Sequence, residues 1–112
     1  MTRSLPTPVE LAILRVLWNH GPSTVRDIHT HLHTKNGYTT ILRAVQIMTD
    51  KGFVTANKST YAHVYSATVP ASVMLAHLVD DLLQRGFGGD REELLKYVRA
   101  ASATQRSKES KS

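Results

Sequence analysis

At Lys51-Gly52 the apolar period of this chain changes from that of a helix to that of a strand. Upstream, within the helix-length stretch from Tyr38 to Phe53, Ile41, Val45 and Met48 recur at i, i+4 and i+7 and make a stripe to be buried. Thr39, Thr40, Arg43, Gln46 and Ile47 project from the other side. Downstream the period is two: Phe53-Val54-Thr55-Ala56-Asn57, a polar turn at Lys58-Ser59-Thr60, then Tyr61-Ala62-His63-Val64-Tyr65-Ser66-Ala67-Thr68, which reads as a hairpin. The outer face of the helix is short, polar and singly charged. Its hydroxyls and amide can pair with base edges, Arg43 can fork onto guanine, and Ile47 can meet a thymine methyl, as in a helix that reads DNA.

Two more helices precede it. Thr7-Pro8-Val9-Glu10 has the makings of a capping box, with proline in the first turn, and predicts a helix from Pro8 to His20. Val9, Ile13, Val16 and Leu17 form one stripe of this helix and Leu11, Leu14 and Trp18 another, so most of it should be enclosed. Gly21-Pro22 ends it. Ser23 and Thr24 can cap a second helix carrying Val25, Ile28 and Leu32 and ending near Asn36-Gly37. Helix, helix, helix and hairpin is the order of a winged helix-turn-helix, with Ser23 to Val25 available as a short third strand. The expected fold class is mainly α with a small β-hairpin wing. The expected division is a DNA-binding domain over 1–69, a helical dimerisation region over 70–101 and a disordered polar tail over 102–112.

Charge agrees with that reading. The net charge is +5 and the isoelectric point about 9.8, which favours polyanionic partners. Residues 1–70 hold seven Lys/Arg against three Asp/Glu, whereas residues 71–112 hold seven against six. The basic excess therefore sits with the reading helix. With no cysteine, disulfides and thiolate metal sites are excluded. No apolar run is long enough to span a bilayer, and the first ten residues, with Pro6 and Pro8, lack a signal-peptide core, so a cytoplasmic protein without membrane insertion is expected.

Trp18 in the Val-Leu-Trp ending of the first helix, Gly21-Pro22, Thr24-Val25-Arg26-Asp27-Ile28-His29, Tyr38-Thr39-Thr40-Ile41 and Asp50-Lys51-Gly52-Phe53-Val54 together closely resemble the BlaI/MecI penicillinase-repressor family. Tyr61 and the Val64-Tyr65 pair also fit that family's wing. The resemblance covers roughly residues 5 to 88. It implies a homodimeric repressor that binds an operator dyad, an inverted repeat in double-stranded DNA, through the third helix and wing, with C-terminal helices making the dimer. In several members a membrane sensor protease leads to cleavage in the C-terminal region, which releases DNA. No Asn-Phe pair of the kind cleaved in some members occurs in the C-terminal half here, and the nearest apolar candidates surround Phe87. The copper-responsive branch uses C-terminal cysteines that this chain lacks. Ile47 departs from the family, many of whose members carry Arg near this position; the change removes a phosphate contact or a supporting ion pair, or lets Ile47 pack beneath the wing.

The C-terminal segment supports dimerisation on its own terms. Met74, Leu75, Leu78, Val79, Leu82 and Leu83 form a broad apolar stripe from Ala71 to Arg85, with Asp80 and Asp81 on the far side. Gly86-Phe87-Gly88-Gly89 breaks this helix, and Asp90 with Glu93 can start another carrying Leu94, Leu95 and Val98. Two such helices cannot bury that surface alone. They need a second copy, or fold back onto the winged domain.

Arg26, Lys51 and Lys58 are candidates for phosphate contacts, the alternative being ordinary solvated charge. Tyr38 can hydrogen-bond a phosphate or pack at the start of its helix. His29, His31 and His33 lie close together, but no Cys, Asp or Glu completes a ligand set, since Asp27 belongs to a helix start; no metal and no cofactor is expected. His20, His63 and His77 read as surface or boundary residues. There is no nucleophile motif, phosphate loop or spaced carboxylate pair, so an enzyme is not expected. The competing reading is an architectural or adaptor protein that binds DNA with little sequence preference.

Overall fold

The computed structural model describes residues 5–59 and 61–111, without the side chains beyond 101. Two compact units divide the chain, Met1–Met74 and Leu75–Ser112. The first holds α1 (Pro8–His20), α2 (Val25–Leu32), α3 (Tyr38–Lys51) and an antiparallel hairpin of β1 (Val54–Asn57) and β2 (Val64–Ala67). The boundary falls inside α4 (Ala71–Asp81), after Met74 rather than after residue 69, and a π-helical turn at Leu82–Gly86 and α5 (Arg91–Lys111) follow.

The capping box at the start of α1 is formed: Thr7 Oγ1 accepts from Glu10 N–H at 3.2 Å and Glu10 Oε1 accepts from Thr7 N–H at 2.9 Å. The helix stops at Gly21, whose N–H donates to the Leu17 carbonyl and whose φ of +83° strains any other residue. Ile13, Leu14, Val16 and Leu17 are buried, while Leu11 and Trp18 are half-buried and the Trp18 indole N–H reaches the Val69 carbonyl at 2.9 Å. Val9, expected in the inner stripe, is exposed. The buried position in that first turn goes instead to Glu10.

The core of this unit joins Ile13 and Leu14 of α1, Ile28 of α2 and Ile41, Val45 and Met48 of α3, all fully buried, with Phe53, Val54 and Tyr65 of the hairpin region. Each such side chain contributes about 1.5–3 kcal/mol relative to exposure. α2 is shorter than the sequence predicts. It ends at Leu32 because His33 turns into the left-handed region at φ 50°, and the chain then reaches Gly37, the N-cap of α3, through Thr34, whose hydroxyl accepts from Asn36 N–H.

The hairpin pairs Val54 with Ala67, Thr55 with Ser66, Ala56 with Tyr65 and Asn57 with Val64. β2 begins at Val64 rather than at Tyr61, and just past β1 the Asn57 carboxamide oxygen accepts from both the N–H and the hydroxyl of Ser59, a local bond that competes with the ladder. The third strand shrinks to one residue. Ser23 and Tyr65 exchange both backbone bonds, at 3.0 and 2.8 Å, but Thr24 already caps α2 through Asp27 N–H and Val25 is helical.

In the second unit, Asp90 Oδ1 accepts from Glu93 N–H at 3.1 Å and starts α5 where a helix start is expected. Gly88 and Gly89 both take positive φ, and Gly89 N–H reaches the Leu83 carbonyl. Phe87 meets the Tyr97 ring edge-on at 5.2 Å. The backbone of α5 runs as helix to Lys111, over most of the segment for which composition predicts a disordered tail. Alanine, Gln, Arg, Lys and Glu in that segment are strong helix formers, and extending an existing helix needs no new nucleus.

Among the described residues, one ion pair crosses the first unit. Lys51, at the end of α3, places Nζ 2.9 Å from Oε2 and 3.1 Å from Oε1 of Glu10, which is only 4% exposed. Removing the cation leaves a buried carboxylate with one backbone donor. Lys51→Met should therefore lower the unfolding free energy by about 1–3 kcal/mol, read from the urea midpoint at unchanged slope. A midpoint within error of the parent would show that the pair does not hold the helices together.

Candidate nucleic-acid interface

α3 has two chemically opposite faces because its inner residues recur at helical spacing and its outer ones do not include a large apolar pair. Ile41, Val45 and Met48 are fully buried, whereas Tyr38, Thr39, Thr40, Arg43, Gln46 and Ile47 are exposed. The side chains of Thr39, Thr40, Arg43 and Gln46 make no hydrogen bond or ion pair with another described residue. A row of short, solvent-facing donors and acceptors flanking one guanidinium suits the edges of base pairs. Ile47 is exposed beside Arg43 and does not pack beneath the wing.

Two hollows flank this helix. The first, about 460 Å³, is lined by Thr24 and Arg26 at the start of α2, Tyr38 and Leu42 of α3, and Tyr61 and His63 of the wing loop. The second, about 270 Å³, lies between Gln46, Thr49 and Asp50 of α3 and Ala56, Lys58 and His63 of the hairpin. Arg26 borders one of these hollows and Lys58 the other, and neither is ion-paired with a described residue.

Lys51 is different. Its ammonium is committed to Glu10 and also lies 5.9 Å from the Phe53 ring centre, so it is held as a structural cation. The half-buried pair pins the C-terminal end of α3 to the first turn of α1. At the other end, Gly37 offers no side-chain cap. The His29 ring supplies a substitute tether: its Nε2–H donates to the Asn36 carbonyl at 2.9 Å, and the ring meets Tyr38 edge-on at 6.3 Å.

The remaining histidines go separate ways. His31 stacks on His20, with ring centres 3.8 Å apart and planes 13° from parallel, and His33 closes α2. Among the described residues no group of three or more His, Cys, Asp or Glu is placed to hold a metal ion.

Tyr61 and His63 were not legible as interface residues, although the signal was present. The alternation of Tyr61, His63 and Tyr65 in the sequence is that signal; Tyr61 and His63 stand in the loop before β2, and all three line the first hollow, with Tyr65 the buried member.

The second unit bears the apolar residues expected to make a dimer. Leu75, Val79, Leu82, Leu95 and Val98 are exposed, and Leu78, Phe87 and Leu94 are half-buried. Met74 and Leu83, at 2% and 8% exposure, are withdrawn into the protomer and offer little to a partner. Val73 and Tyr97 are exposed apolar residues that the stripe did not include. Among the described residues, no helix is long and apolar enough to cross a membrane.

Three helices, a two-stranded wing and a polar outer face on the third helix define a winged-helix protein of the DNA-binding class. The chain belongs to the penicillinase repressor family, whose profile matches residues 6–110, and it is thus a member of a family of DNA-binding transcriptional repressors. Its fold is similar to that of a transcriptional regulator from Thermotoga maritima, with a TM-score of 0.53 and 16% identity over 95% of this chain and 80% of that one. A search of curated proteins finds no match.

Arg43 and Lys58 should separate by function. Arg43→Ala should cost about 1–3 kcal/mol on a preferred sequence and relax the base preference, while Lys58→Ala should weaken all duplexes alike and lower the salt slope by about one. Equal losses by both variants on preferred and random DNA would remove Arg43 from base reading.

Proposed function

We infer that this protein is a homodimeric, sequence-specific transcriptional repressor that binds an inverted repeat through α3 and the wing. The observation that carries the reading is the outer face of α3, whose exposed polar side chains have no partner among the described residues while its inner face is fully buried. Such a face gains most from a partner that brings its own donors and acceptors in a plane, as base pairs do. Tyr38 at the head of the helix and Arg26 and Lys58 at its flanks suit the phosphates on either side of the groove.

The second unit supports dimerisation. Leu75, Val79 and Leu82 recur at i, i+4 and i+7 and stand about half exposed, at 47%, 54% and 50%. Leaving that stripe in water is costly, and a second copy with the same stripe covers it by two-fold symmetry. Two-fold symmetry in turn places two reading helices about 34 Å apart, one turn of DNA, so an inverted repeat is the natural target. Occupancy of the operator then blocks transcription, and anything that separates the second units, including cleavage near Phe87 by a membrane sensor protease, lowers affinity by removing one half-site contact.

Selection of bound sequences from a random duplex pool, near physiological salt because phosphate affinity depends on it steeply, tests the reading. Recovery of an inverted repeat is the expected result. Binding without any recovered motif would favour an architectural protein that holds DNA by charge. In sedimentation, Val79→Glu should shift the protein from dimer to monomer and weaken binding to the repeat, with half-site affinity retained.

A further inference from the structure

Among the described residues, His63 is the only exposed one that lines both hollows beside α3. It stands at the end of the wing loop, with Arg26 bordering one hollow and Lys58 the other. His63 thus shares one hollow with Arg26 and the other with Lys58, and each of the three side chains can present an N–H to an anionic oxygen. Arg26 offers a guanidinium and Lys58 an ammonium group. Imidazole is the side chain whose charge changes between about pH 5 and 8.

We propose that His63 is a phosphate contact of the DNA-binding surface and that the protein takes up a proton at His63 when it binds the DNA backbone. The inference rests on the reading of α3 and the wing as a DNA interface. The other ionisable groups bordering His63 are Tyr38 and Asp50 of α3 and Tyr61 and Tyr65 of the hairpin region. Asp50 is the one carboxylate among the residues lining the two hollows, and an internal pair between it and His63 would also respond to pH. The two cases differ in salt. A cation placed on a phosphate releases a condensed counterion and steepens the dependence of affinity on salt by about 0.9 per contact, whereas an internal pair releases none from the DNA. The contact is also independent of sequence, because a phosphate carries no base identity.

The test is fluorescence anisotropy with a labelled random-sequence duplex of about 30 bp at about pH 5.5 and pH 8, each over about 50–200 mM salt. The wild-type protein should bind about three- to tenfold more tightly at the lower pH, with a salt slope larger by about one per protomer. His63→Gln should lose both differences. His63→Arg should bind at the higher pH with the slope that the wild type shows only in acid. A pH response and slope in H63Q equal to those of the wild type would overturn the proposal while leaving the DNA interface intact. A pH response lost in H63Q without any change of salt slope would assign His63 to Asp50 and overturn it as well. No binding of the wild-type protein at either pH would remove the DNA interface itself, and this inference with it.

Discussion

Everything else in the first unit depends on the one-sided burial of α3. Ile41, Val45 and Met48 have no exposed surface, and they meet Ile13 and Leu14 of α1 and Ile28 of α2 in the same core. Rotating the helix by one residue would put Gln46 or Thr49 into that core and bring Val45 or Met48 to the surface, losing about 1.5–3 kcal/mol for each apolar side chain exposed and adding the cost of an unpaired buried polar group. The outer face is therefore fixed in direction by the inner one. Arg43, Thr39 and Thr40 need no interactions of their own to be held outward.

Direction also needs an anchor along the axis, and here the two ends of α3 differ. At the C-terminal end the Glu10–Lys51 pair ties the helix to the first turn of α1, where Glu10 already serves the capping box through Thr7. One carboxylate thus terminates one helix and positions another. At the N-terminal end, without a side-chain cap, the His29 to Asn36 bond closes the turn. The hairpin is fastened independently, by the Ser23–Tyr65 bridge and by Thr68, which bonds the backbone of both Gly52 and Phe53.

The second unit follows a different logic. Its helices leave Leu75, Val79, Leu82, Leu95 and Val98 in water, and only Leu83 of the apolar set is buried within it. Two helices have too little shared surface to form a core. In the proposed dimer, affinity for DNA would depend on protein concentration, since two half-sites would be held only while two protomers are joined, and control of DNA binding would fall to a surface that does not touch DNA.

Much of this was legible from residue order. The bounds of α1, its capping box, the start and faces of α3 and the position of the hairpin all follow from local rules: apolar period, capping chemistry and turn residues act within a few positions, where the sequence is complete information. The failures share a cause. α2 stops at Leu32 because a histidine adopts a left-handed conformation, Asn57 bonds Ser59 just past β1 in competition with the ladder, and Val9 yields its inner place to Glu10; each reflects a competition that periodicity does not represent. Lys51 is the clearest case. On the helix it is one more cation near the reading face, and only the approach of Glu10, forty-one residues away in sequence, makes it structural. The sequence by itself determined which residues make helices, which face of α3 is polar and that the basic excess accompanies it, because these depend on spacing and composition. Only the tertiary structure decided which charges are free, which histidine stands between helix and wing, and which apolar residues remain for a partner, because those depend on what distant segments bring within reach of one another.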